Sequence, residues 1–186
     1  MEMLEMIKGR RSIRKYKPMP VTEEDHNAVL EAARWAPSWR NTQCWQFIIV
    51  RDLELRIKLA ETLPETNRAL PAIREEAPIV IVACAELGKS GYSRDGEMVT
   101  NKGDWWYMFD TALAIQNMVL MAHSLELGTV HVGWFDAEKA AKILEVPETV
   151  VIVELIPLGY ADEVPEVRRR KELSEIVFYE KYGQRR

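Results

Sequence analysis

The sequence has few of the signatures that identify a chemistry outright. None of its nine glycines falls into GxGxxG or GxxxxGK[ST], so it has neither a Rossmann fingerprint nor a phosphate loop, and any bound phosphate must be held by side chains. Three histidines, His26, His123 and His131, show no HExxH spacing and no neighbouring cysteine pair. No metal site is therefore expected. Cysteine is limited to Cys44 and Cys84, far apart and without a CxxC, which suits a reducing compartment better than a disulfide framework; both are read as ordinary buried thiols. No apolar run approaches the roughly 18 residues needed to span a bilayer. The N-terminal MEMLEMIKGRRSIRKY carries charges where a signal peptide has its apolar stretch, so a cytoplasmic protein away from membranes is expected. Positive charge is also in deficit, with 25 Lys and Arg against 29 Asp and Glu for a formal charge of -4. That argues against a general affinity for nucleic acid or anionic lipid and makes any polyanion site local.

What is present is one globular unit. The 186 residues are 47% hydrophobic, enough for one good-sized core, and no repeat, low-complexity tract or Gly/Ser linker divides residues 1–186. Met1 to Gly9 reads as a short amphipathic helix. Thr22, followed by Glu23, Glu24 and Asp25, caps a second helix that runs to about Trp35 and is ended by Pro37. Trp45 to Val50 is a strand, Leu53 to Leu63 returns to helical periodicity, and PIVIVACA from Pro78 to Ala85 is a strand buried on both faces. Glu86 to Asp104, with four glycines, reads as a mobile polar segment. Trp105 to Leu125 is apolar nearly all round, as for a central buried helix closed by Gly128. Asp136 caps a helix through Leu144, Thr149 to Ile156 is a strand, and Pro157, Gly159 and Tyr160 turn the chain toward a basic tail. The mixture is α+β, with long helices against one sheet.

Three places concentrate chemistry. Arg10, Arg11, Ser12 and Arg14 set three guanidiniums and a hydroxyl in one turn, a dense anion site or a solvated basic turn with equal weight. Arg168, Arg169, Arg170 and Lys171 form a second cluster near the other end; two clusters in an acidic chain suggest one shared target, against neutralisation by Glu163, Glu166, Glu172 and Glu175. A nucleic-acid site is a third reading, but it needs a broader basic face. Between the clusters, the loop Pro37-Ser38-Trp39-Arg40-Asn41-Thr42-Gln43 precedes a strand. Its amides match the alternating donors and acceptors of a pyrimidine edge, and Trp39 and Trp45 supply apolar bulk beside it; the competing reading is a polar surface turn.

Taken in order, RRSIRKY, APSWRNTQCWQFIIV, WWYMFDTALAIQNMVLMAHSLELGT, GWF, LIPLGYA and RRRKELSEIV make the chain resemble the nitroreductase family of FMN-dependent oxidoreductases over most of its length. The resemblance implies a nitroreductase-like α+β fold with a central mixed sheet packed by long helices, in an interlocked homodimer with FMN at the interface. It implies that Arg10, Arg11, Ser12 and Arg14 contact phosphate, ribityl chain and pyrimidine edge, and that Arg168 and Arg170 complete the phosphate site. Pro37, Ser38, Trp39, Asn41 and, less firmly, Gln43 are implied to reach the flavin from the other subunit. Val132, Gly133 and Trp134 resemble the segment whose backbone N–H faces flavin N5. The sequence departs from the family at Cys44, where proline is common, and at Glu126, where glycine is common. Residues 60 to 104 match no motif.

The implied activity is ping-pong electron transfer from NADH or NADPH to a small organic acceptor such as a nitroaromatic or quinone, with positioning by the protein and the redox step by the cofactor. No side chain is assigned as catalytic acid; His131 is nearest the N5 segment by sequence but reads first as a core histidine. Trp105 and Trp106 are candidate substrate contacts, with helix core as the competing reading of nearly equal weight. Other activities of the same fold stay open. They are reductive dehalogenation, in which Glu97 and Lys102 clasp a zwitterion, oxygen-dependent flavin cleavage, and non-catalytic flavin binding.

Overall fold

A computed structural model describes residues 2–186. The elements run α1 (Met3–Gly9), α2 (Glu23–Arg34), β1 (Trp45–Val50), α3 (Leu53–Ala60), β2 (Ile79–Glu86), α4 (Trp105–Ser124), β3 (Leu127–Thr129), α5 (Ala137–Ile143), β4 (Val150–Tyr160) and α6 (Leu173–Ile176). The strands form one sheet in the order β1-β2-β4-β3 with every pairing antiparallel. Ser12 adds a parallel bridge to Thr129 on the β3 edge, which gives the sheet its mixed character. No helix of the described residues is long and apolar enough to cross a membrane.

β2 is the middle of the molecule because its IVIVACA run is apolar on both faces. Ile79, Ile81 and Ala83 meet Val29 and Ala33 of α2 and Ala114, Ile115, Met118 and Val119 of α4. Val80, Val82 and Cys84 face the other way, toward Leu59, Ile73 and Ala140. Two helical layers thus sandwich the sheet, and each fully buried Ile or Met contributes roughly 1.5–3 kcal/mol from water exclusion. Cys44 and Cys84 lie inside this core, and burial pushes both thiols up to about 11, with Asp110 adding to the effect at Cys44.

Local chemistry sets the helix starts as the sequence suggests. Thr22 Oγ1 accepts the Asp25 N–H at 3.0 Å, and Asp52 and Asp136 cap α3 and α5 in the same way. The ends differ more. α1 starts at Met3, and Met1 lies outside the described residues; α3 stops at Ala60 rather than Leu63.

β4 continues through Pro157, Gly159 and Tyr160 instead of turning there. Pro157 is tolerated because it falls between the Val132–Leu155 bridge and the Thr129–Leu158 pair, where the outer edge of β4 has no ladder partner. Gly159 lets that edge lie flat, since a Cβ there would stand 2.7 Å from Pro78 Cδ. Nor does Gly128 close α4. It sits inside β3, where a Cβ would meet Ile13 at 2.7 Å, and the left-handed residue after the helix is Glu126 at φ 62°.

Finally, α4 is not covered all round. Ala114, Ile115, Met118 and Val119 are buried, but Trp105, Met108 and Phe109 at its N-terminal end are exposed.

Candidate active site

The N-terminal arginines are held in place by the strand edge they run along. After α1, Ile13 donates its N–H to Thr129 O at 2.9 Å and Lys17 donates to Tyr160 O at 2.8 Å. Ile13 and Tyr16 point inward and are buried, the Tyr16 hydroxyl donating to Ile13 O at 2.6 Å. Arg10, Arg11, Ser12 and Arg14 are thereby left on the open side.

The C-terminal tail then returns along the same strand. Tyr16 bridges to Ala161, Asp162 donates to Lys15 O at 2.9 Å, and Glu163 Oε1 accepts the backbone N–H of Arg14 at 2.5 Å and of Lys15 at 3.2 Å. Residues up to 149 positions apart in the chain are thus laid side by side. The result is a groove of about 880 Å³ with Arg10, Arg11, Ser12 and Arg14 on one wall and Arg168 and Arg170 on another.

The groove is electrostatically tense. Burial, then Arg11, then Arg170 push the Arg10 guanidinium below its usual range. Its Nη1 is buried without a hydrogen-bond partner, a state that costs free energy until an acceptor arrives. His123, on α4, is held below the usual histidine range by burial and by Arg10 and Arg11. Glu163 makes no ion pair with these arginines among the described residues; its Oε1 accepts the two backbone amides instead. Such a site fits a dianion that takes bidentate bonds.

A third wall, Glu65 to Leu70, was not anticipated from sequence. It is built on a turn in which Asn67 N–H reaches Pro64 O and the Asn67 side-chain oxygen accepts the Ala69 N–H at 2.9 Å. Asn67 Nδ2 also donates to Trp134 O at 3.0 Å, tying this wall to the Val132-Gly133-Trp134 segment. The signal available in sequence was the Pro64–Asn67 turn directly after a helix. Val132 is buried and paired with Leu155 through 3.1 Å bonds in both directions. Gly133 has open space where a Cβ would stand, and Trp134 is 64% exposed. None of the three lines the groove itself.

The Pro37–Gln43 loop is elsewhere. No residue of it lines the groove of its own chain. A short turn over Trp39–Asn41 leaves Asn41 and Gln43 exposed, with Arg40, Asn41 and Gln43 at left-handed φ of 43°, 59° and 48°. Ser38 Oγ accepts the Gln43 N–H at 2.9 Å.

Trp106 packs against Trp39 with centroids 4.7 Å apart and the rings tilted by 52°, and meets Phe109 edge-on at 5.5 Å. Trp105 is 79% exposed and is not helix core. The 86–104 segment, expected to be loose, is closed by internal bonds: Tyr92 bridges Met98 and Val99 donates to Gly91 O at 3.0 Å. His131 is half-exposed rather than core, with Nδ1 3.0 Å from Glu154 Oε1.

Known proteins resemble the chain in sequence and in fold. The sequence profile of the nitroreductase family matches residues 7–160. The chain belongs to the nitroreductase family. A Methanothermobacter thermautotrophicus relative, assigned as an NADH dehydrogenase/NAD(P)H nitroreductase, is 36% identical over 172 residues, covering 90% of this chain and 82% of its own. The FMN reductase [NAD(P)H] of Bacillus subtilis is 27% identical over 168 residues, covering 86% of this chain and 66% of its own. Among solved structures, nitroreductase A from Vibrio parahaemolyticus superposes with a TM-score of 0.84 at 27% identity, over 97% of this chain and 76% of that one. The nitroreductase profile ends at Tyr160, just before the tail that supplies Arg168 and Arg170.

Proposed function

We propose that this nitroreductase-family chain holds FMN in the arginine groove and passes electrons from NADH or NADPH to a small organic acceptor such as a nitroaromatic or a quinone. The observation that carries the reading is Arg10, a half-buried guanidinium with an unpartnered Nη1 beside Arg11 and Arg170. That is the donor set a terminal phosphate matches. In this reading Arg10, Arg11, Arg168 and Arg170 hold the phosphate and Ser12 the ribityl chain. Arg14 keeps a fixed positive charge at the pyrimidine edge, where negative charge develops during reduction. The Val132 N–H is spent on Leu155 O, so in this reading a backbone N–H of Gly133 or Trp134 faces N5, and Asn67 keeps that turn in place through Trp134 O. The bound flavin would supply the two-electron chemistry itself. The name of the Bacillus subtilis relative, an FMN reductase, supports the same cofactor and donor.

The same reading makes the protein a homodimer. The Pro37–Gln43 loop does not line its own groove, and we assign it to the flavin of a second copy. Apolar surface for such an interface is present at Met3, Leu4 and Ile7 of α1 and at Trp105, Met108 and Phe109 of α4, all exposed in the single chain.

Chromatography of the cofactor released by heat tests the reading directly. FMN is expected, and FAD, or no flavin after supplementation with FMN, refutes it. NAD(P)H oxidation with nitroaromatics, quinones and halotyrosines, with and without oxygen, then separates this activity from dehalogenation, flavin cleavage and simple binding. Sedimentation at low micromolar concentration should give a dimer.

A further inference from the structure

Asp110 is the only buried carboxylate among the described residues, 1% exposed in the first turns of α4. No lysine, arginine or histidine pairs with it among those residues. A carboxylate placed there depends on the donors aimed at it. Two converge on Oδ2: the backbone N–H of Trp39 at 2.9 Å and the Ser90 hydroxyl. They come from different segments. Trp39 belongs to the 37–43 loop, and Ser90, itself buried, stands at the base of the 86–104 segment.

Further contacts join the same two segments. Trp106 packs against Trp39, takes Thr100 Oγ1 as acceptor for its indole N–H at 3.3 Å and is covered by Lys102 at 5.1 Å. Tyr92 donates to Asp104 Oδ1 at 2.6 Å, drawing the two ends of the segment together. The loop has reason to need such an anchor. Arg40, Asn41 and Gln43 all hold left-handed backbone, which L side chains keep only where the surroundings over-determine it.

We propose that Asp110 is a positioning residue that fastens the 37–43 loop and the 86–104 segment into one unit, so that the loop's reach toward the flavin of a second copy and the 86–104 segment, which leads into Trp105 and Trp106 and which we place beside the acceptor, are set together. Its effect on flavin and acceptor rests on the function proposed above; the fastening itself does not. Ser90→Ala cuts one tie, Asp110→Ala cuts both, and Asp110→Asn keeps a carbonyl oxygen for the Trp39 N–H.

A hydrogen bond to a charged acceptor corresponds to roughly ten- to a hundredfold in an equilibrium, part of which is recovered by neighbouring contacts. Ser90→Ala should therefore raise the acceptor KM by about tenfold, with kcat and FMN affinity within about twofold of the parent. Asp110→Ala should also weaken FMN about tenfold, and Asp110→Asn should restore most of that loss. In the flavin-free protein, trypsin should cut after Arg94 and Lys102 faster in Ser90→Ala and Asp110→Ala than in the parent.

If the parent takes no FMN, the functional reading fails, and the trypsin rates alone decide the fastening. Parent-like cleavage in Ser90→Ala overturns it. If FMN is bound and turned over, an unchanged acceptor KM in Ser90→Ala overturns the positioning role, and that variant decides the matter should Asp110→Ala fail to fold.

Discussion

Replacing Arg10 by methionine separates a binding group from a structural one, because the two roles predict opposite signs in the empty protein. Methionine keeps the length of the aliphatic stem and removes the guanidinium. In the structure that guanidinium has a buried, unpartnered Nη1 and is pressed by Arg11 and Arg170. An unsatisfied buried donor costs about 1–3 kcal/mol, and the site is partly open to water, so the lower end applies. The flavin-free variant should gain about 1 kcal/mol, a rise in Tm of about 2–4 °C for a chain of this size. With FMN the sign reverses, since a charge-assisted bond contributes about 1.5–3 kcal/mol and its loss weakens binding roughly ten- to a hundredfold. Riboflavin has no phosphate and should bind the variant and the parent alike. Titration of both ligands by quenching of flavin fluorescence, with melting curves of the empty forms, gives all three quantities. Unchanged FMN affinity refutes the phosphate assignment. A fall in the empty form's Tm refutes the claim that the arginine is held under tension.

Removing Arg170 should weaken FMN to a similar degree and spare riboflavin, measured the same way; loss of both affinities together would place it in the fold rather than the site. His123 is pushed down by burial and by Arg10 and Arg11, so it stays neutral when folded and takes up a proton on unfolding. Its contribution to stability is therefore present above about pH 6.5 and lost as pH falls below it. An anion beside Arg10 should raise the His123 titration, visible by proton NMR on adding inorganic phosphate, and no movement would contradict that neighbourhood. Cys44 and Cys84 are buried with thiols pushed up to about 11, so stability should fall as pH rises from about 9 toward 11. Neither thiol should react with a disulfide reagent at pH 8 before denaturant is added. Glu126 holds φ 62°, and Glu126→Gly should raise stability by up to about 1 kcal/mol in urea melts; destabilisation would show that its side chain matters more than its backbone.

Strands and caps were legible because their causes are local. The apolar, β-branched character of WQFIIV, the unbroken apolar IVIVACA, and Thr22, Asp52 and Asp136 before their helices each act within a few residues. The misreadings came where a distant neighbour decides. Pro157 and Gly159 carry turn chemistry, yet they lie in β4 because a gap in the ladder excuses the proline and Pro78 and Tyr16 require the glycine. Gly128 carries helix-stop chemistry, yet Ile13 lies against it, so the helix ends on a glutamate at left-handed φ instead. For the Glu65–Leu70 wall the sequence offered only the Pro64–Asn67 turn, and its role beside the groove depends on Asn67 meeting Trp134, 67 positions on.

The groove shows the same division more sharply. Its residue types were readable, since three guanidiniums in five positions are unusual in a chain of net charge -4. Their convergence was not, because it depends on contacts that join the first sixteen residues to β3 and to the C-terminal tail: Ile13 to Thr129, Tyr16 to Ala161, and Glu163 to the amides of Arg14 and Lys15. Glu163 has a particular part in this. A carboxylate placed among arginines would ordinarily pair with a guanidinium and quench the anion site. Here the two backbone N–H groups bind one of its oxygens, and the same acid that brings the tail to the groove forms no ion pair with a guanidinium among the described residues. Replacing Glu163 by glutamine keeps an oxygen for those amides and should leave FMN affinity within about threefold of the parent. Glu163→Ala frees the tail and should lower FMN affinity about tenfold, as deletion of Arg170 does. Equal affinities for the alanine variant and the parent would mean that the strand pairing at Tyr16 and Ala161 suffices to deliver Arg168 and Arg170, and that Glu163 is incidental to the site.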